Sequence, residues 1–156
     1  MPHFSQKSQN RLNTCNPLLV ELFRHVVVNF DCTILEGARS ENRQMTLLKE
    51  GRTKLEYPLS KHNVGPGADR DLSDAVDVVP YPIDWCFEDD LICTCSGEEI
   101  NMHTLHNIQR WFKFIGYVQG VAAEMGIPLI SGADWDGDNC MADQKFDDLP
   151  HFEVGI

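Results

Sequence analysis

The sequence has no apolar run near the roughly 20 residues needed to span a bilayer. It also has no internal repeat and no low-complexity segment. Its first residues, MPHFSQKSQNRLNTCN, contain no apolar h-region, so no secretory signal is expected there. The expected starting compartment is the cytoplasm of the producing cell. Positive charge is scarce: 13 Lys and Arg stand against 24 Asp and Glu, for a formal net charge of -11. Phosphate binding needs a basic face, so nucleic acid is not the expected partner. An anionic membrane surface is disfavoured on the same ground. The six cysteines, Cys15, Cys32, Cys86, Cys93, Cys95 and Cys140, lack the spacing of a zinc knuckle, since one residue separates Cys93 from Cys95. Reduced thiols are expected rather than a disulfide frame.

The length of 156 residues supports one domain with a true core. A single domain over 1–156 is expected, working as a monomer. Asn16-Pro17 reads as the N-cap and first position of a helix through PLLVELFRHVVVNF. CTILEGARS reads as a strand entering a loop. ENRQMTLLKEG is a second helix, closed by Gly51. Arg52 to Ser73 is loop. DAVDVVPYP is a strand with Ala75, Asp77 and Val79 on one face and Val76 and Val78 on the other. Residues 84–104 are irregular, and TLHNIQRWFKFIGYVQGVAAEMG is the longest helical pattern. IPLISG and LPHFEV read as strands, the second with His151 and Glu153 on one face. Helices and strands are mixed without strict βαβ alternation. The expected class is α+β, with a small, mostly antiparallel sheet and flanking helices.

Three residues suggest a metal site. Asp77 lies among valines, where a carboxylate is costly unless paired, hydrogen-bonded or metal-bound. His62 stands at the start of a loop and His151 in the last strand. Two neutral imidazoles and a carboxylate suit a catalytic zinc, which keeps one position open. Asp148, three residues before His151 and across Pro150, is the candidate general base. Taken singly, each has an ordinary structural reading: a strand His, a carboxylate capping backbone, a solvated loop His.

Together these stretches resemble a known family. SKH, then DAVDVVPYPIDW, then DDLPHFE, are similar to the zinc D-Ala-D-Ala carboxypeptidases and L-alanyl-D-glutamate endopeptidases, in particular their phage endolysin branch. The shared pattern is S-x-H, then A-x-D, then a late His with an acid three residues before it. EGARSENRQ matches a further E-G-x-R-S-x-x-x-Q element, and GYVQGVAAEMGI and GADWD agree. The resemblance runs from Phe4 to Val154. It implies a Hedgehog/DD-peptidase-like fold and one zinc ion on His62, Asp77 and His151. It implies Asp148 as the catalytic acid-base residue and Arg39 as the stabiliser of the oxyanion. Gln44 and Ser60 match pattern positions that line or brace the site, and Trp135 either packs on the core or lines the groove; all three are candidate substrate-binding residues. The implied substrate is bacterial peptidoglycan, cut between L-Ala and D-Glu during host lysis, at the wall or periplasm after release.

Two places depart from the pattern. A longer stretch, holding NVGPGADRDLSD, separates His62 from Asp77 and brings in Asp69, Asp71 and Asp74 as rivals. The segment 86–104 reads as an insertion carrying Cys86, Cys93, Cys95 and His103, with His106 just beyond; a surface excursion is expected over a second zinc site. The acidic loop ADWDGDNCMAD offers Asp134, Asp136, Asp138 and Asp143 as candidate calcium ligands, although the spacing is not that of an EF-hand. Two alternatives stay open: a D-Ala-D-Ala carboxypeptidase with the same metal site, and a non-catalytic, metal-stabilised wall-binding domain.

Overall fold

Apolar residues recur at helical spacing in PLLVELFRHVVVN, and this segment forms a helix over Pro17–Asn29. Asn16 caps it, its side chain accepting the Leu18 N–H at 3.0 Å. The computed structural model describes residues 1–85, 102–141 and 143–155, and for 102–104 the backbone alone. Within these, the elements in chain order are α1 (Gln6–Leu12), α2 (Pro17–Asn29), β1 (Cys32–Glu36) and α3 (Glu41–Lys49). There follow β2 (Ala75–Pro80), α4 (Met102–Glu124), β3 (Leu129–Ser131) and β4 (His151–Val154). The α+β expectation holds. The segment α1 was not anticipated: only Ser8 and Leu12 on it are buried, too few apolar positions to give a period, and its start rests on the Ser5 cap.

The four strands form one antiparallel sheet in the order β1-β2-β4-β3. Alternation along β2 and β4 decides what each face carries. Val76, Val78, Phe152 and Val154 point into the core with Leu19, Leu22, Phe23 and Val26 of α2 and Phe114, Ile115 and Val118 of α4. Phe152 stacks edge-on with both Phe23 and Phe114, at centroid distances of 5.5 and 6.1 Å. The opposite face carries Asp77, His151 and Glu153. Pairing places Asp77 directly across from His151.

Between Ile34 and Glu36 the β1 register shifts, so that Glu36 rather than Leu35 opposes Asp77. This bulge turns a second carboxylate toward the polar face. The segment 63–73 is pinned to the α1–α2 connection, with Ser73 N–H donating to Thr14 and Asn16 N–H to Ser73. No helix among the described residues is long and apolar enough to cross a membrane. Cys15 and Cys32 are buried free thiols, and burial pushes both up to about 12. Cys86, Cys93 and Cys95 lie outside the described residues, as does the His103 side chain, while His106 is exposed on α4.

Candidate metal centre and substrate groove

The two central strands each contribute one side chain to a shared point. Asp77 comes from β2 and His151 from β4. His62 arrives from a loop held to the chain after β1, where Arg39 N–H donates to the His62 carbonyl at 2.8 Å. Ser60 anchors that loop: its Oγ accepts the His62 N–H at 3.3 Å, and its own N–H donates to Asn63 Oδ1 at 3.1 Å. His62 Nε2, Asp77 Oδ1 and His151 Nδ1 lie 3.2, 3.3 and 3.3 Å apart, an almost equilateral triangle.

Hydrogen bonding on the far side of each ring fixes which nitrogen faces this triangle. His62 Nδ1 lies 2.8 Å from the Gly37 carbonyl, which can only accept, so Nδ1 carries the proton and Nε2 presents a lone pair. His151 Nε2 lies 3.0 Å from Glu153 Oε2, so its proton sits there and Nδ1 faces inward. With both imidazoles neutral, three acceptors face one another with no proton between them. Such a cluster needs a cation, either an extra proton or a metal.

The spacing suits a metal. Zinc bonds of about 2.0–2.1 Å in tetrahedral geometry put ligand atoms about 3.3 Å apart, close to the separations found. The His-Asp-His group, mostly buried, can therefore hold a metal ion. The rival carboxylates are elsewhere. Asp74 accepts from Asn16 Nδ2 at 2.9 Å, and Asp69 and Asp71 are exposed.

The ionisation states follow the same wiring. Burial opposes charge on Asp77, but His62 and His151 outweigh it and hold the carboxyl far below the ordinary carboxylate range. Burial opposes charge on His151 too, yet its hydrogen bonds to Asp77 and Glu153 raise it to about 9. Without metal, the cation of the cluster is then a proton on His151. Glu153 is lowered, its bond to His151 overcoming burial. Asp148 is raised, by burial first and then by the charge of Asp77, against the pull of His151, His62 and Arg39. A carboxyl held up in this way is suited to taking and returning a proton.

Asp148 reaches the site through backbone contacts. Its N–H donates to the Gly132 carbonyl at 2.8 Å, and its carbonyl accepts the His151 N–H at 2.9 Å. Gly132 must be Gly here, since a Cβ would stand 2.3 Å from the Asp148 carbonyl oxygen. Arg39 is buried against Glu36, which it grips through Nε at 3.0 Å and through Nη2. Its Nη2 lies 3.7 Å from Asp77 Oδ2 and its Nη1 donates to Gln44 Oε1 at 3.1 Å. The structural pairing with Glu36 is thus present, and the guanidinium also borders the centre.

His62, Asp77, Asp148, His151 and Arg39 line one groove of about 1230 Å³. Ser60 and Trp135 line it too; the Trp135 ring lies over His151 with centroids 5.2 Å apart. Gln44 does not. It is fully buried, accepts from Arg39 and Asn63, and donates to the Leu55 carbonyl, so its amide braces Arg39 and the His62 loop rather than facing substrate. In the acidic loop, Asp134, Asp136 and Asp138 bring oxygens together, as do Asp138 and Asp143 with Cys140. The Asp134 carboxylate is already taken by the N–H groups of Gly137 and Asn139. Glu153, Asn63 and Gly132 occupy none of the pattern positions that point to the site in the sequence. Only Glu153 left a signal, its place two residues after His151 on the same strand face.

A family model described as phage L-alanyl-D-glutamate peptidase matches residues 1–155. No curated protein matches the chain by sequence. Among solved structures, the fold is similar to the crystal structure of the Serratia marcescens L-Ala D-Glu endopeptidase ChiX. The TM-score is 0.63 and the identity 21%, over 98% of this chain and 90% of that one.

Proposed function

The chain belongs to the phage L-alanyl-D-glutamate peptidase family, and from that premise we propose that its groove is a mononuclear zinc centre cutting peptidoglycan stem peptides between L-Ala and D-Glu. The observation that carries the metal reading is the triangle of His62 Nε2, Asp77 Oδ1 and His151 Nδ1, with separations of 3.2–3.3 Å and each imidazole's other nitrogen already satisfied. When bound, zinc supplies Lewis acidity toward water and a carbonyl oxygen.

The chain's own residues perform the rest. Asp148, with its raised carboxyl, takes the proton from the attacking water and returns it to the departing D-Glu amine. Arg39 presents its guanidinium beside Asp77, where the carbonyl oxygen gains negative charge. Glu36 and Gln44 hold the guanidinium from behind. Trp135 packs on His151 and closes one side of the groove. In this reading the enzyme is made in the cytoplasm and acts at the wall after release.

Digestion of purified peptidoglycan tests this directly, with mass spectrometry and labelling of new amino termini. The expected result is new D-Glu amino termini, absent with a zinc chelator and absent with Asp148→Ala. Release of D-Ala instead would overturn the bond assignment in favour of a carboxypeptidase. Intact peptidoglycan in the presence of zinc-loaded protein would overturn the catalytic reading and leave a wall-binding domain.

A further inference from the structure

Charge is distributed unevenly around the groove. The chain as a whole is strongly acidic, yet six of its 13 Lys and Arg line this one depression: Arg11, Arg39, Arg43, Arg52, Lys54 and Lys61. The acidic residues lining it, among those described, are Glu36, Asp77, Asp148 and Glu153. All four lie at the metal centre or beside it, and Glu36 is gripped by Arg39 and Arg43. Two of the cations are also committed: Arg11 donates to the Ile34 carbonyl at 2.8 Å, and Arg39 to Glu36. Lys61 faces Glu153. What remains is a basic wall on α3 and the loop after it, made by Arg52, Lys54 and Arg43, the last holding Glu36 through Nε at 3.2 Å while about half of its side chain stays exposed. Arg52 and Lys54 are exposed, and the nearest acid to Arg52 is Glu50 at 4.0 Å, itself half exposed.

The two sides of the scissile bond differ in charge. L-Ala, joined through its carbonyl, offers no carboxylate there. D-Glu has two carboxyl groups and continues the chain through at most one, so at least one stays free next to the bond. We propose that the Arg43–Arg52–Lys54 wall is a carboxylate subsite that takes the D-Glu side of the substrate and so sets its direction in the groove. This rests on the L-alanyl-D-glutamate reading and extends it to substrate recognition. Several exposed cations acting on one carboxylate give a modest, salt-screened gain in affinity.

The experiment is calorimetric titration of zinc-loaded Asp148→Asn, which leaves the ligand uncleaved. Two stem peptides are compared, one with the D-Glu carboxyl free and one with it amidated. The same pair is titrated against Asp148→Asn carrying Arg52→Glu and Lys54→Glu, with zinc content and melting temperature checked. The free-carboxyl peptide should bind about tenfold more tightly than its amide, and charge reversal should erase most of that gap. The gap should also shrink between about 50 and 500 mM salt. Equal affinity for the two peptides, equal weakening of both by charge reversal, or no binding of either would each overturn the subsite. Cleavage by wild-type protein is read separately. Cleavage without carboxyl preference sinks the subsite alone, whereas preference without cleavage sinks the peptidase reading alone.

Discussion

His151 has acceptors on both ring nitrogens, Glu153 on Nε2 and Asp77 on Nδ1. Two protons can be held there, which is why the ring is raised to about 9 when no metal is present. On the proposed zinc reading, the metal would have to displace the proton on Nδ1. Zinc affinity should therefore rise with pH, by close to tenfold per unit below about 9, and flatten above it. Competition titrations between pH 6 and 9 check this; a flat profile would mean that His151 is already neutral. Stability runs the other way in the metal-free protein. The folded value lies above the ordinary 6.5 of His, so the contribution of His151 is complete below about 6.5 and is lost as pH rises through about 9. The Glu153 carboxylate fixes the ring that His151 offers. Glu153→Gln should lower zinc affinity by about 10- to 100-fold, the usual cost of losing an outer-shell partner of a ligating His. Metal-binding titration reads this without reference to catalysis.

At the scale of elements, β3 and β4 do more than complete the sheet. The turn entering β4 is clamped to the end of β3 by the Asp148–Gly132 and Gly132–His151 backbone bonds, which places the proposed base and the proposed metal ligand His151 together. Gly132→Ala puts a Cβ 2.3 Å from the Asp148 carbonyl, so backbone must move. A cost of about 1–3 kcal/mol is expected from such overpacking. Peptidase turnover should fall by more than zinc content does, because Asp148 shifts while His62 and Asp77 stay. Melting temperature, zinc content and turnover measured on one preparation separate these effects, and equal loss of zinc and turnover would contradict the positioning role. The β1 bulge works likewise. It swings Glu36 opposite Asp77, where it holds both Arg39 and Arg43.

At the scale of the whole molecule, one face of the sheet is packed on α2 and α4, while the other carries a cluster of charges that needs a cation. A metal held there would couple to folding, since the loop residue His62 meets the two strand residues Asp77 and His151 only in the native state. Free zinc at about 100 times its dissociation constant should add about 2.7 kcal/mol. For a domain of this size that is a rise in melting temperature of roughly 5–10 °C. Thermal melts of chelated and zinc-reloaded protein measure it, and an unchanged melting temperature would contradict a native-state site. By itself the sequence determined the periodic elements and their faces: α2, α3, α4, the valines of β2 and the alternation in HFEV follow from local spacing. It also marked the candidate trio that the structure brings together, because a carboxylate among valines and motifs in fixed order are properties of the chain. Helix α1 escaped, having almost no apolar period. Only the tertiary structure decided that Asp77 and not Asp74 joins the histidines, that Gln44 is a brace, and that Glu153, Gly132 and the cations of the groove belong to the same site. Those relations depend on strand register, on the bulge at Leu35 and on loop packing between residues distant in the chain, and local propensity does not encode them.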